Sequence, residues 1–294
     1  EDVLPYFCRS ENQSRGEDEY HGVGGPLHVS DQVEHHEICD AVLDAAESVG
    51  IPRNDDVNGA RQEGFGYVQL TVKNGLRQST AAAFLDPVRG RKNLDIYTNA
   101  HARHLNWEGK RCVGITYQRG DTVASLQAHR EVLVSAGAIN SPQLLEVSGV
   151  GDAQRLTSLG IDVVHALPGV GENLQDHYIA RLTYRVKDSL TYNERARGPR
   201  LLAEVARYLT QRKGALALSV ANLTGFAFVR EGVETPDVQY FMTPASFSPT
   251  RERALENLPG MTLGACQLRP ESRGSIHLKS SDPMAAPSIR PNFL

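Results

Sequence analysis

Apolar and polar positions change their period several times along this chain, and each change marks an element. Residues 132–134 (Val-Leu-Val) form a short run with the length and composition of a buried strand. It drops into Ser135, Ala136, Gly137 and Ala138, where side-chain bulk disappears and another surface can approach the backbone. A helix follows, with Asn140 or Ser141 as its cap and Pro142 in its first turn, where a missing N–H has no partner to lose. Ser148-Gly149 stops it. A strand ending on small residues before a helix N-terminus is where α/β folds bind phosphate-bearing cofactors.

Helical spacing recurs upstream. A helix is expected from Asp31, with Asp31 and Glu34 as a capping box and Ile38, Val42, Ala45 and Val49 on one face; Gly50 and Pro52 end it. The adjacent His35 and His36 do not share a helix face and read as solvent-facing. A second helix is expected over 76–88, with Ser79 as cap and Pro87 just past its end. Residues 21–30 read as a Gly/Pro turn feeding a strand. Strands are expected at 94–98, 102–107, 111–118 and 122–128, the last three joined by short turns with Gly109 and Gly120. That meander runs straight into 132–134. A short helix capped by Asp152 and ended by Gly160 follows, then a strand at 161–167.

Beyond residue 180 the pattern alternates, as in antiparallel strands with one wet face. Strands are expected at 182–186, 222–229, 237–243, 261–268 and 275–278, interrupted by an amphipathic helix at 199–213 whose Leu201, Leu202, Val205, Tyr208 and Leu209 line one side. The fold class expected is mixed α/β: a partial cofactor domain over 1–178, with a helical insertion at about 31–66, and a partial antiparallel-sheet domain over 179–294 that shapes a substrate pocket.

Composition narrows the chemistry. The 294 residues suffice for one large or two ordinary domains, and a formal net charge of −4 with no basic stripe argues against nucleic acid. No apolar run reaches membrane-spanning length. Cys8, Cys39, Cys112 and Cys266 lack CxxC spacing, so isolated thiols are expected, not a zinc site or dithiol pair, and no metal is expected. The chain contains no Gly-x-Gly-x-x-Gly, serine nucleophile elbow, His-x-x-x-His helix or Walker loop. Without an initiator Met or signal peptide, both ends read as cuts within a longer protein; the compartment stays open, with the cytoplasm favoured.

Gly137-Ala138-Ile139-Asn140-Ser141-Pro142-Gln143-Leu144-Leu145, followed by Ser148-Gly149-Val150-Gly151, resembles the second signature of the glucose–methanol–choline (GMC) flavin oxidoreductases. Further GMC-like segments are Leu4-Pro5-Tyr6-Phe7, the turn from His21 to Pro26, Arg77-x-Ser79-Thr80-Ala81, Arg91-x-Asn93-Leu94 and Pro168-Gly169-Val170-Gly171-Glu172-Asn173-Leu174-Gln175-Asp176-His177. The meander before residues 132–134 resembles the FAD domain of glutathione-reductase-like flavoproteins. The resemblance implies FAD as cofactor, with Ala102 at the adenine end and Ser135, Ala136, Gly137, Ala138, Ser141 and Pro142 near the cofactor. Asn173, Asp176 and His177 are implied to lie beside the flavin. On chemistry alone Asp176-His177 is either an acid–base pair or, the preferred reading, a backbone-binding pair in an irregular loop.

The implied reaction is oxidation of an alcohol CH–OH group, with hydride passing to flavin N5 and a His accepting the proton. The family's Rossmann glycines are expected before Glu1 and its catalytic His beyond Leu294, so no catalytic residue is assigned here, and these 294 residues alone are expected to be inactive. Segments Ser272-Arg273-Gly274-x-Ile276 and Pro287-x-Ile289-x-Pro291-Asn292 favour the choline dehydrogenase-like branch. A small alcohol is the expected partner, with oxygen or a quinone as final acceptor. A non-redox flavoprotein such as a hydroxynitrile lyase, or a non-catalytic truncated module, remains the alternative.

Overall fold

The structure is a computed structural model that describes residues 2–217, 219, 221–251 and 254–293. The end residues Glu1 and Leu294 lie outside the described residues. In chain order the first elements are α1 (Leu4–Ser10), β1 (Glu11–Gln13), β2 (Leu27–Val29), α2 (Glu37–Ser48), β3 (Gly64–Tyr67), β4 (Val72–Lys73) and β5 (Leu76–Arg77). The middle of the chain forms β6 (His101–Glu108), β7 (Arg111–Arg119), β8 (Thr122–Gln127), α3 (Gly137–Val147), β9 (Val150–Gly151), α4 (Ala153–Ser158), β10 (His165–Ala166) and β11 (Glu172–Leu174). The remainder forms β12 (Ile179–Arg185), α5 (Tyr192–Arg195), α6 (Gly198–Gln211), β13 (Leu223–Ala227), β14 (Val238–Thr243), β15 (Gly260–Gln267), β16 (Gly274–His277) and β17 (Ser288–Arg290).

The mixed α/β class with a meander and an antiparallel sheet is as expected, but the chain does not divide sequentially at residue 178. It folds into two discontinuous compact units: residues up to Leu94 with Tyr178–Arg269, and Asp95–His177 with the residues from Pro270 onward. The chain crosses between them near 95, 178 and 270.

The first unit is built on a five-stranded sheet of order β12-β15-β14-β13-β3, every neighbour antiparallel. One buried cluster joins α2 to it: Ile38, Cys39, Leu43 and Ala46 pack with Phe65, Leu223 and Met242. Burial raises the Cys39 thiol to about 12, so it stays a protonated core group. The helix expected from Asp31 begins six residues later, at Glu37, with His36 as its cap accepting from the Ile38 N–H. The segment before it is tied down by side chains instead. Gln32 donates to the carbonyls of Val68 and Asn222, and the His36 N–H donates to the Tyr67 hydroxyl. The expected capping box is not made: Asp31 pairs with Arg15, while Glu34 holds Arg207 and the Gly214 N–H. The buried face is Ile38, Cys39, Leu43 and Ala46; Ala45 and Val49 face solvent. His36 is buried, contrary to expectation, and His35 stacks on Tyr67.

The helix expected over 76–88 is shortened for a related reason. Asn74 and Gly75 both take positive φ and turn β4 onto β5, so residues 76–77 become strand. Helical turns follow at Ala81–Leu85 and Asp86–Val88, and the Ser79 hydroxyl does accept from the Ala82 N–H. Helix α6 forms within a residue or two of its expected bounds, but none of its residues is buried and Leu202 and Leu209 are exposed.

In the second unit the meander β6-β7-β8 is as expected. Both of its two-residue turns place a glycine with φ +58 first, the geometry of a type II′ hairpin. Residues 94–98 and 132–134 are not strands; among the described residues neither segment has a neighbouring strand to complete a ladder. The strand expected at 161–167 contracts to β10, paired in parallel with β9. A separate three-stranded sheet runs β11-β16-β17.

Candidate functional site

All ten residues expected at the cofactor fall in the second unit, on three segments: β6, which α3 packs against, the start of α3 with the two residues before it, and β11 with the residues that follow it. Helix α3 starts a turn earlier than its pattern implied. Ala136 is the N-cap, neither Asn140 nor Ser141 caps it, and Pro142 lies inside the helix. Gly137 opens it at φ +82, a conformation glycine adopts without strain. Ser135, Ala136, Gly137, Ala138, Ile139 and Asn140 are exposed, and so is Leu133, at 79 %. Apart from its chain neighbours and the backbone of its own helix, nothing lies within 4 Å of where a Cβ on Gly137 would sit. No side chain caps this helix, so its first-turn N–H groups, which have no intrahelical acceptor, are free of side-chain partners. The bend is therefore a bare, apolar-flanked stretch of backbone with N–H donors at one end. That combination fits a dinucleotide: small residues admit a planar group and the helix end favours a phosphate. Ser141 and Pro142 are half-buried one turn further along.

Strand β6, which carries the half-buried Ala102, lies at the edge of the meander, and α3 covers it. One residue makes the junction. The Ser148 hydroxyl donates to the Leu144 carbonyl at 2.5 Å and accepts from the Leu105 N–H at 2.8 Å, while the Ser148 carbonyl accepts from Trp107 Nε1 at 2.8 Å. The Gln143 amide reaches the Ala285 carbonyl at 2.9 Å, fastening the other side of the helix.

The third segment, residues 168–177, is held from beneath. The Gly171 carbonyl accepts from the Ile276 N–H at 2.7 Å, and β11 pairs with β16. His277 sits between two carboxylates: Nδ1 lies 2.7 Å from Glu146 Oε1 of α3 and Nε2 lies 2.9 Å from Glu172 Oε1. Glu146 is wholly buried, and its other oxygen accepts from the Leu278 N–H at 2.8 Å. Asn173, Asp176 and His177 are exposed; Asn173 takes φ +60, and Asp176 accepts from the His177 backbone N–H at 2.9 Å. The Asp176 side chain thus binds backbone, as the preferred reading has it for both residues. Among the described residues no hydrogen bond joins Asn173, Asp176 or His177 to the bend at 135–142.

The sequence reading gave none of Ser148, Glu146, Glu172 and His277 a role in holding the site. Glu146 carried a signal: it is a lone charge inside Leu144-Leu145-Glu146-Val147, where helical spacing calls for apolar residues. His277 carried a weaker one, as a polar residue between Ile276 and Leu278 on a short strand.

The sheet unit has its own concave features. A polar cavity of about 570 Å³ is lined by His36, Glu37, Asp188, Ser189, Leu190 and Arg195. Burial first, then the nearby Arg195 charge, lowers the His36 pKa and keeps that ring neutral. A smaller apolar cavity of about 250 Å³ lies beside Tyr192, Leu201, Thr243 and Phe247. Elsewhere in this unit buried His21 bridges Glu11 (3.0 Å) and Asp56 (2.8 Å). Burial opposes charge on His21, but its hydrogen bonds to the two carboxylates outweigh that and raise its pKa. Among the described residues no helix is long and apolar enough to cross a membrane.

Comparison with known proteins agrees with this geometry. The chain is 39% identical, over its full length, to oxygen-dependent choline dehydrogenases of Pectobacterium carotovorum and Pseudomonas aeruginosa, covering 53% of each. It thus spans about half the length of the curated relatives it matches. Pyridoxine 4-oxidase from Mesorbium loti superposes with a TM-score of 0.83 at 26% identity, over 100% of this chain and 54% of that one. Formate oxidase superposes with a TM-score of 0.87 at 23% identity, over 99% and 56%, and at that identity the likeness is one of fold. A formate oxidase from Aspergillus oryzae, 23% identical and likewise alike in fold, carries FAD. A family model described as GMC oxidoreductase matches residues 1–179, so the chain belongs to the GMC oxidoreductase family.

Proposed function

We propose that this chain forms part of an FAD-dependent oxidoreductase that acts on the CH–OH group of a small alcohol, with choline the first substrate to test. One observation carries the reading: the exposed backbone bend from Ser135 to Ala138, with room above Gly137 and an uncapped helix behind it. Bare backbone of this kind has no packing role in its own unit. The likeness over the whole chain to choline dehydrogenases supports the substrate class.

When bound, FAD supplies the acceptor for a hydride leaving the alcohol carbon. This chain's own contribution is binding and orientation. Ser135, Ala136, Gly137 and Ala138 offer main chain in place of side chains, and the N–H groups at the start of α3 offer donors. Ala102 on β6 and the loop bearing Asn173, Asp176 and His177 would contribute further parts of the cofactor surface. No residue of this chain is assigned as the proton acceptor, and residues 1–294 by themselves are expected to show no alcohol turnover, since they carry no glycine-rich pyrophosphate loop.

The test is a visible spectrum of the protein purified with whatever sequence naturally flanks these residues. Flavin absorbance that bleaches anaerobically with choline or another small alcohol is the expected result. Flavin that no alcohol bleaches points to a non-redox flavoprotein of the same fold, and a colourless protein that takes up no FAD refutes the proposal.

A further inference from the structure

Helix α3 and the segment that opens the 172–177 loop meet at one buried imidazole. The wholly buried carboxylate of Glu146, the next-to-last residue of α3, grips two successive residues at the end of β16: the ring of His277, its last residue, and the N–H of Leu278, which follows it. The opposite ring nitrogen reaches Glu172, the residue that opens the 172–177 loop. Gly171 makes this possible. A Cβ there would lie 2.2 Å from the Ile276 carbonyl oxygen and 2.7 Å from His277 Nδ1, so only glycine lets the loop backbone lie against the ring. An ionised carboxylate only accepts, and a neutral imidazole has a single N–H. Both links therefore form together only when the trio holds one proton beyond a neutral ring between two carboxylates. In that state α3 and the loop are tied through one rigid ring.

We propose that His277 is a positioning residue: through Glu146 and Glu172 it fixes the loop bearing Asn173, Asp176 and His177 relative to α3, so that loop and bend meet the flavin as one surface. This rests on the FAD reading given above. Apolar packing alone sets a helix against a strand with freedom to slide, whereas hydrogen bonds at both ring nitrogens set a register.

Glu172 is the place to test it, because its side chain is 46% exposed and its removal leaves the core intact. In the protein with its natural flanking sequence, stripped of flavin, FAD is titrated and the quenching of its fluorescence gives Kd. The Glu172→Ala variant should raise Kd at least tenfold and blunt the vibronic structure of the bound-flavin spectrum, with an unchanged far-UV circular dichroism spectrum. The Glu172→Gln variant, whose amide oxygen still accepts from Nε2, should recover most of the affinity. The His277→Gln variant, which cannot span both carboxylates, should match Glu172→Ala. An unchanged Kd and spectrum in Glu172→Ala would overturn the positioning role while leaving the flavin reading intact. A wild-type protein that quenches no FAD overturns both.

Discussion

Replacing Ser148 by alanine isolates the junction between α3 and the edge of the meander. The hydroxyl has two partners, the Leu105 N–H at 2.8 Å and the Leu144 carbonyl at 2.5 Å, and both Ser148 and Leu105 are buried, at 7% and 4% exposure. Alanine leaves the Leu105 N–H with no acceptor where water does not reach; such an orphan costs about 1–3 kcal/mol. The bond to Leu144 adds less, since net hydrogen-bond contributions run near 1 kcal/mol and that carbonyl keeps a place in the helix. The bond from Trp107 survives because it is accepted by backbone. The expected loss is about 2 kcal/mol, measured as a lower urea midpoint at unchanged slope.

A second readout localises the effect. If the hydroxyl caps the open edge of β6, exchange of the Leu105 amide should speed up roughly thirtyfold, the factor that corresponds to about 2 kcal/mol. Ser158 provides the control, because its hydroxyl also donates to a helix carbonyl, Arg155 at 2.7 Å, but is exposed. Ser158→Ala should change stability by under about 0.5 kcal/mol. A Ser148→Ala variant as stable as the control, or one with an equally protected Leu105 amide, refutes the reasoning.

Two further outcomes follow from named contacts. Gly171→Ala combines a positive φ of +81° with a Cβ driven against the Ile276 carbonyl, and should cost about 2–5 kcal/mol by urea unfolding. His21 is held charged by Glu11 and Asp56, so its folded pKa is raised. The stability it contributes is complete below the unfolded histidine value, about 6.5, and fades as pH rises through the folded value. The thermal midpoint of His21→Gln should therefore lose that decline above roughly pH 6.5, and midpoint curves parallel to wild type would contradict the assignment.

What was legible in the sequence was local. The meander could be read because Gly109 and Gly120 mark two-residue turns between alternating runs, and the bend at 135–138 because an absence of side chains needs no partner to be seen. The order of the five-stranded sheet could not. Strand β3, Gly-Phe-Gly-Tyr, is only four residues long with two glycines, which weaken a strand, and becomes one by pairing with β13, some 160 residues later in the chain. The start of α2 failed likewise, since Gln32 is claimed by the Asn222 carbonyl, 190 positions away. The short segments at 94–98 and 132–134 have strand-like composition, but composition supplies only half of a ladder.

The same distinction explains why the site's support was invisible while its surface was not. A bend of small side chains is a property of four consecutive residues; the clamp at the other end of α3 needs Glu146, Glu172 and His277, with 131 positions separating the first from the last. A wholly buried carboxylate is costly to desolvate, and an apolar residue at position 146 would pack α3 at least as stably. What the apolar residue lacks is an acceptor for the Leu278 N–H and a partner for the ring, and so a means of fixing which residue of β16 faces which turn of α3. The first unit uses the same device independently, with buried His21 between Glu11 on β1 and Asp56 in the loop before β3. In both units two segments far apart in the chain meet at a histidine held by two carboxylates. A glycine clears space for the second of these clamps, Gly171 under His277; Gly22 beside His21 instead clears the Cys8 carbonyl. At Gly171 a glycine-rich stretch that looks like a cofactor loop in the sequence is therefore the clearance that lets a buried histidine between two carboxylates set the register of the chain.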